Sequence, residues 1–492
     1  MRLEAELATR VGEQPFGVAD RVAANLDLLE ADLADLPARQ RSMRAVFDAS
    51  WATLTEEARS AFARMSVFCG GFADEAARAV AGADLGILRE LVRTSFLQRT
   101  GEGRYEIHEL LRQYGETKLV EIPGEHERTL DRHCAYYADF YSEHASAVAR
   151  GDIGPVASEV DNIRAAWHWA LDAPRVDRVR QFVGRLKQGI RELDYLLTGL
   201  ISGGEEAFAQ AASVLRAAEE SVANEIALGV ALRCQGVHAC EAGHLDRAVS
   251  LLEECMPILE RCGAKDELSI AKVEAYGAGA GKSAAGGEQL LREAVALARE
   301  AHYEDGMVRA SHLLAGLALH RRSFEEAEQH VRAALTFAGH TEHYLGRWYM
   351  LEALAAIACA RGDDGLAHQC VLERIAIAEQ VRWPLMTATA QRDLGAVMIA
   401  RGKPEEAHCP FQRSLEIAQE VGHSLWLTCA QCSLGDVAVA EGDVREAKEH
   451  YRRALALAAD DASPLPARRA IRSVAALRAQ EGCLASAVSL LA

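Results

Sequence analysis

Aromatic residues make up only 6% of this 492-residue chain, prolines number 11, and no stretch of about 18 or more apolar residues occurs. The missing apolar run excludes a helical membrane span. The opening residues, MRLEAELATRV, place glutamates where a secretory leader needs an unbroken apolar core, so no signal peptide is read. Basic residues are also in deficit: 54 Lys+Arg stand against 72 Asp+Glu, a net charge of −18. Such a surface does not hold DNA or an anionic membrane by bulk attraction. The 12 cysteines are scattered and form no disulfide framework, which suits reduced thiols in the cytoplasm. With 50% apolar and 26% charged residues, the chain is neither disordered nor collagen-like.

What the sequence has in abundance is alanine, arranged in a repeat. The clearest copy is LGDVAVAEGDVREAKEHYRRALALA, residues 434–458. A helix carrying Leu434, Gly435 and Ala438 ends at Gly442; a second helix carries Ala447, Tyr451 and Ala454. LGAVMIARGKPEEAHCPFQRSLEIA and LAAIACARGDDGLAHQCVLERIAIA repeat the pattern, and Arg322 takes the turn position one copy earlier. Turns are thus expected at 322, 362, 402, 442 and 482, and upstream at Lys282, Gly243 and Gly203. Residues five, nine and twelve after each turn share one stripe of the second helix. Small residues at five and twelve permit close helix packing, and a larger one at nine fills the gap.

The Leu-Gly pair, the alanines and the Tyr or Phe resemble the tetratricopeptide repeat (TPR), whose usual unit is about 34 residues. The spacing of 40 between turns 362, 402 and 442 lengthens each helix by nearly a turn. The resemblance covers 201–492 and implies a concave surface that takes a protein, a peptide or a small signal. The last copy stops soon after Gly482 with the apolar SLLA, which reads as a truncated repeat at a fragment's end.

Upstream, TLTEEARSAFARMSVF, FADEAARAV and LGILRELVRTSF read as three helices. FLQRT and YEIH, joined by GEG, read as a hairpin, and ELLRQYGETKL as a further helix. The order is that of a winged helix, over 36–121. The phrases SVFCGGF, LVRTSFLQR, YEIHELLRQYGETKL and VDNIRAAWHWAL resemble NB-ARC-like STAND signalling ATPases of bacteria, which join a nucleotide switch to repeat arrays. The resemblance implies that the chain is the C-terminal part of such an ATPase or transcriptional regulator. It makes 1–35 the tail of a missing ATPase domain and 122–200 a helical linker. The expected fold is mainly α, a small winged-helix domain followed by an α-α superhelix.

Ile107-His108-Glu109 stands where that family carries Met-His-Asp. By resemblance, His108 is the nucleotide sensor that approaches the β-phosphate; the plainer alternative is that it caps the next helix. ATP or ADP is then expected only with the missing upstream domain, and this chain needs no cofactor of its own. GAGAGKS, residues 277–283, imitates a phosphate loop through Gly281, Lys282 and Ser283. Tyr276 occupies the first glycine's place, and ELSIAKVEAY sits in a first-helix slot with Lys272 and Glu274 where a buried strand is needed. The loop reads as a repeat turn, with a degenerate phosphate loop as the alternative.

Cys429 and Cys432 form a lone CxxC, and His340 and His343 an HxxH without a zincin glutamate. Neither reads as a metal site. Residues 41–120 hold eleven Lys/Arg and eleven Asp/Glu, so the winged helix lacks a basic footprint, and DNA is expected only through an absent domain. The sequence therefore points to a non-enzymatic, signal-sensing scaffold without catalytic residues. A stand-alone TPR adaptor and a cryptic ATPase using 277–283 are the alternatives.

Overall fold

A computed structural model describes residues 43–100, 103–149, 156, 158–172, 175–185, 201–281, 283–338, 344–381, 384–422, 424–459, 464–483 and 489. Residues 1–35, expected to be an ATPase tail, and 490–492 of the apolar end SLLA lie outside the described residues. Contacts divide the chain into two units, one ending at Tyr141 and including Ser158–Ala173, the other made of Ser142–Ala157 and Pro174 onward.

The first unit opens with α1 (Met43–Trp51), α2 (Glu56–Met65), α3 (Asp74–Ala81) and α4 (Leu85–Arg93). Thr55 caps α2 by accepting from the Ala58 N–H, with Glu56 and Glu57 in the first turn. The same Thr55 donates to Glu90 at 3.0 Å and ties α2 to α4. Strands β1 (Gln98–Arg99) and β2 (Tyr105–Glu106) pair antiparallel, and Phe72 bridges to Tyr105 as a third short edge. The hairpin is shorter than FLQRT and YEIH suggest. Phe96 and Leu97 turn into the core instead, after Ser95 closes α4 in a left-handed conformation. Helix α5 (Glu109–Val120) completes the element order expected of a winged helix.

Two more helices belong here, α6 (Glu125–Ala149) in its first part and α7 (Val160–Asp172), the VDNIRAAWHWAL segment. Asn162 is the reason α7 sits where it does. Its Oδ1 accepts from the Cys69 N–H at 2.8 Å, and its Nδ2 donates to the Gly71 carbonyl at 3.1 Å and to Glu159 at 3.0 Å. Glu159 also accepts from the Tyr137 hydroxyl at 2.8 Å and pairs with Arg104, which donates to the Gly71 carbonyl at 2.7 Å. One buried network thus fastens the hairpin and the Gly70-Gly71 turn to α6 and α7.

His133 lies at the edge of this network, fully buried between Phe68 and Tyr137. Burial pushes its pKa down to about 4, against a weaker upward pull from Asn162. An unfolded histidine titrates near 6.5, so below that pH the unfolded chain takes up a proton that the folded one refuses. Acidification from pH 7 to pH 4 should therefore withdraw about 3 kcal/mol from this unit. Amide exchange of α6 and α7, followed at both pH values, checks it. His133→Phe keeps the ring packing and should flatten the change; an equal loss in the variant would remove His133 as its source.

The second unit is a run of helix pairs. Helix α8 (Val176–Arg185) and α9 (Ile201–Arg216) precede α10 (Val222–Glu241), α11 (Leu245–Arg261), α12 (Lys265–Gly277), α13 (Ala284–Glu300), α14 (Glu304–His320) and α15 (Phe324–Ala338). Then come α16 (Tyr344–Arg361), α17 (Asp364–Val381), α18 (Pro384–Ala400), α19 (Pro404–Val421), α20 (Ser424–Glu441), α21 (Val444–Ala459) and α22 (Pro464–Gln480). From α10 on, even-numbered helices are first helices and odd-numbered ones second helices. Successive first helices also pack on one another, except at the step from α16 to α18, and this makes an α-α superhelix whose inner face they line.

The repeat register holds from Gly243 onward. Ala447, Tyr451 and Ala454 are buried, as are Ala407, Phe411 and Ser414 and their counterparts in earlier pairs. The Leu-Gly signature has a steric cause. A Cβ on Gly395 would stand 2.6 Å from the Phe411 ring, and one on Gly435 would meet the Tyr451 ring. Where position nine is only Val331 or Val371, the facing residue is Ala315 or Ala355. Gly203 departs from the expectation. It lies inside α9 rather than at a turn, next to Gly204, which lets the His238 ring of α10 approach the helix backbone.

Candidate functional site

His108 is exposed and forms the N-cap of α5, its Nδ1 accepting from the Leu110 N–H at 3.3 Å. An accepting Nδ1 places the proton of the neutral ring on Nε2. Capping and an N–H donor on Nε2 are thus compatible in one exposed side chain. The next residue, Glu109, is held by Arg112 at 2.9 Å, and that hydrogen bond takes its carboxyl below the usual carboxylate range.

The GAGAGKS segment joins two helices of one repeat. Helix α12 runs to Gly277, the turn uses left-handed Gly279 and Gly281, and Ser283 caps α13 by accepting from the Gly286 N–H at 3.1 Å. Gly281 is needed because a Cβ there would lie 2.8 Å from the Gly287 nitrogen. Lys282 lies outside the described residues, as do His340 and His343. Cys429 and Cys432 lie on α20, where burial pushes the Cys432 thiol up to about 12. No group of three potential metal ligands occurs among the described residues.

A different constellation stands out on the inner face. Position twelve after the turn is Cys255, Ala294, Ala334, Ser414 or Ala454 in other pairs, all small and buried. In α17 it is Arg374, an arginine with 0% exposure. Its guanidinium reaches between two first helices. Nη2 donates to Glu352 of α16 at 3.0 Å, and Nη1 pairs with Asp393 of α18. Its Cζ lies 3.8 Å from the ring centroid of Trp348, a cation–π stack. Arg392 approaches Asp393 from the solvent side at 3.3 Å. From α14, His312 faces Tyr349 with ring centroids 5.6 Å apart; burial, and then the Arg374 charge, lower its pKa against the pull of Glu352.

Related ion pairs mark other steps between first helices: Arg233 with Glu267 at 3.2 Å, Arg309 with Glu274, and Arg469 with Asp436 at 3.5 Å. The inner face is thus a row of matched charges, at its most elaborate around Arg374. Composition did not reveal it, but a signal exists in the repeat. Ten residues before successive turns stand Arg233, Lys272, His312, Glu352 and Arg392, every one of them titratable.

Known proteins agree with this architecture. Residues 386–460 match the family described as tetratricopeptide repeat. HTH-type transcriptional regulators of Mycobacterium bovis and Mycobacterium tuberculosis are each 31% identical over 190 residues, covering 35% of this chain and 21% of the relative. The chain therefore matches only about a fifth of the length of these curated relatives. The crystal structure of a signal transduction ATPase with numerous domains (STAND) from Pyrococcus horikoshii, with a tetratricopeptide repeat sensor, superposes with a TM-score of 0.52 at 12% identity, covering 99% of this chain and 70% of that one. At that identity the likeness is one of fold. Residues 386–460 match tetratricopeptide repeats, and the chain shares its fold with a STAND protein that carries a sensor of such repeats.

Proposed function

We propose that this chain is the sensing and interaction part of a STAND-type regulator of transcription or signalling, working without catalysis of its own in the cytoplasm. The repeat solenoid binds a protein or peptide signal on its inner face. The observation that carries this reading is Arg374: a buried charge at a helix-packing position costs stability, and such local rule-breaking concentrates at functional sites. The regulator role draws support from the HTH-type relatives and from the STAND fold. His108, exposed and with its proton on Nε2, would sense a nucleotide held by an upstream ATPase domain, the only setting in which ATP or ADP serves as cofactor. DNA would be reached through another part of such a protein. No described helix is long and apolar enough to cross a membrane.

Calorimetry with ATP and ADP, each with magnesium, tests the non-enzymatic reading. The chain alone should give only heats of dilution, and Lys282→Ala should behave identically. Micromolar binding abolished by Lys282→Ala would assign a phosphate loop to 277–283 and replace the scaffold by an ATPase.

A further inference from the structure

A row of ion pairs runs along the edge where the repeat turns lie, and one of its rungs has two bases and no acid. In each rung a residue early in a second helix meets the residue just before the next turn. Glu288 meets Arg321 at 2.7 Å, and Glu328 meets Arg361 at 2.9 Å. Further on the polarity is reversed: His408 meets Glu441 at 3.0 Å, and Lys448 meets Glu481 at 2.6 Å. The members of each pair are 33 residues apart. His368 and Arg401 have the same separation and fall on the step between, where the polarity changes over. Arg401 is exposed and His368 partly so, and neither side chain has a partner among the described residues.

Glu406 stands close enough to feel both bases but is already taken. It accepts from Lys403, and that bond, with the charges of Lys403, Arg401 and His368 behind it, holds its carboxyl below the usual range. The same step is unusual in a second, independent respect. First helices α16 and α18 do not pack on one another there; Arg374 spans them instead through Glu352 and Asp393.

Charge selects what completes the rung. Arg401 brings one permanent positive charge, and a neutral His368 ring still donates one N–H. A carboxylate, with one charge and two acceptor oxygens, matches both. A phosphate monoester carries about −1.5 to −2 and leaves excess negative charge beside Glu406. One exposed ion pair changes an affinity by at most about fivefold, too little to hold a free small acid. The acid must therefore arrive on a protein surface that makes further contacts.

We propose that the turn edge at His368 and Arg401 is a docking surface for a protein partner, separate from the inner face, and that it takes an Asp or Glu side chain of that partner. The carboxylate accepts from the Arg401 guanidinium and from the His368 ring. It ties α17 to the end of α18, as the ion pairs do at the neighbouring steps, so docking stiffens the step that first-helix packing leaves open.

The test uses the whole chain and end-blocked hexapeptide pools that carry Glu, Gln or phosphoserine at one fixed position. Side-chain NMR signals of His368 and Arg401 are followed at physiological salt. The Glu pool should shift both signals and slow amide exchange at the start of α17 and the end of α18; the Gln pool should do neither. His368→Glu rebuilds the Glu–Arg pair of the two preceding steps. It should slow the same amides without peptide and weaken the Arg401 response about fivefold. Gln369→Glu adds the same charge one residue away, on an exposed position, and should leave the response within about twofold. No response to the Glu pool, an equal response to the Gln pool, a stronger one to phosphoserine, or equal losses in the two variants overturns the site.

Discussion

Arg374→Ala lowers the stability of the repeat unit by about 3 kcal/mol, although alanine is the residue type this position carries in three other pairs. The helix pair itself loses nothing, since a small side chain suits the close approach there. The loss comes from the partners. Glu352 keeps its charge at 36% side-chain exposure without the guanidinium that neutralised it, and Asp393, at 23%, keeps Arg392 but loses its closer partner. Trp348 loses its stacked cation, and space opens beside it. Urea melts followed by tryptophan fluorescence and by amide exchange of α16–α18 measure the change. Neutralising the stranded partners as well, with Glu352→Gln and Asp393→Asn, should return most of the stability, because amides carry no buried charge. If the triple variant is as unstable as the single one, lost packing rather than lost pairing governs, and the ion pairs are incidental.

The same contrast shows which features are legible in a sequence. Repeat turns and packing stripes are local and periodic, so Gly402, Ala407 and Phe411 announce themselves in one copy and are repeated in the next. The Thr55 cap and its acidic first turn are equally local. Gly203 misleads because a Gly-Gly pair suits a turn and also suits a helix that another side chain must approach closely. The hairpin is overestimated because Phe96 and Leu97 are strand-like in composition but bury inward. Arg374 stands in the sequence as an exception to its own repeat, yet its meaning depends on Glu352 and Asp393, contributed by two different helices. His108 is legible as a cap from its place before ELLRQYGETKL, while the tautomer follows only from the Leu110 contact.

Asn162→Leu should cost the first unit about 2–3 kcal/mol, against at most about 0.5 kcal/mol for His168→Leu on the exposed side of the same helix. Asn162 is 1% exposed, and leucine matches its size but none of its hydrogen bonds. The Cys69 N–H and the Gly71 carbonyl lose partners contributed from more than 90 residues away, and Glu159 loses a donor while remaining buried. The Gly71 carbonyl keeps Arg104, and Glu159 keeps Tyr137 and Arg104, so the group orphaned outright is the Cys69 N–H, at about 1–3 kcal/mol, with the two weakened contacts adding to it. Amide exchange is the right measurement, because the chain has two units and a single melting curve would mix them. In the unaltered protein the Cys69 amide should exchange slowly, as a buried and paired donor does. In Asn162→Leu it should exchange orders of magnitude faster, together with the hairpin residues near Arg104, while the repeats keep their protection. Asn162→Asp separates the two halves of the side chain: it preserves an acceptor for Cys69 but replaces the donor toward Glu159 with a like charge. A Cys69 amide that stays protected in Asn162→Leu would mean that apolar packing, not the polar network, holds α7 against the Gly70-Gly71 turn.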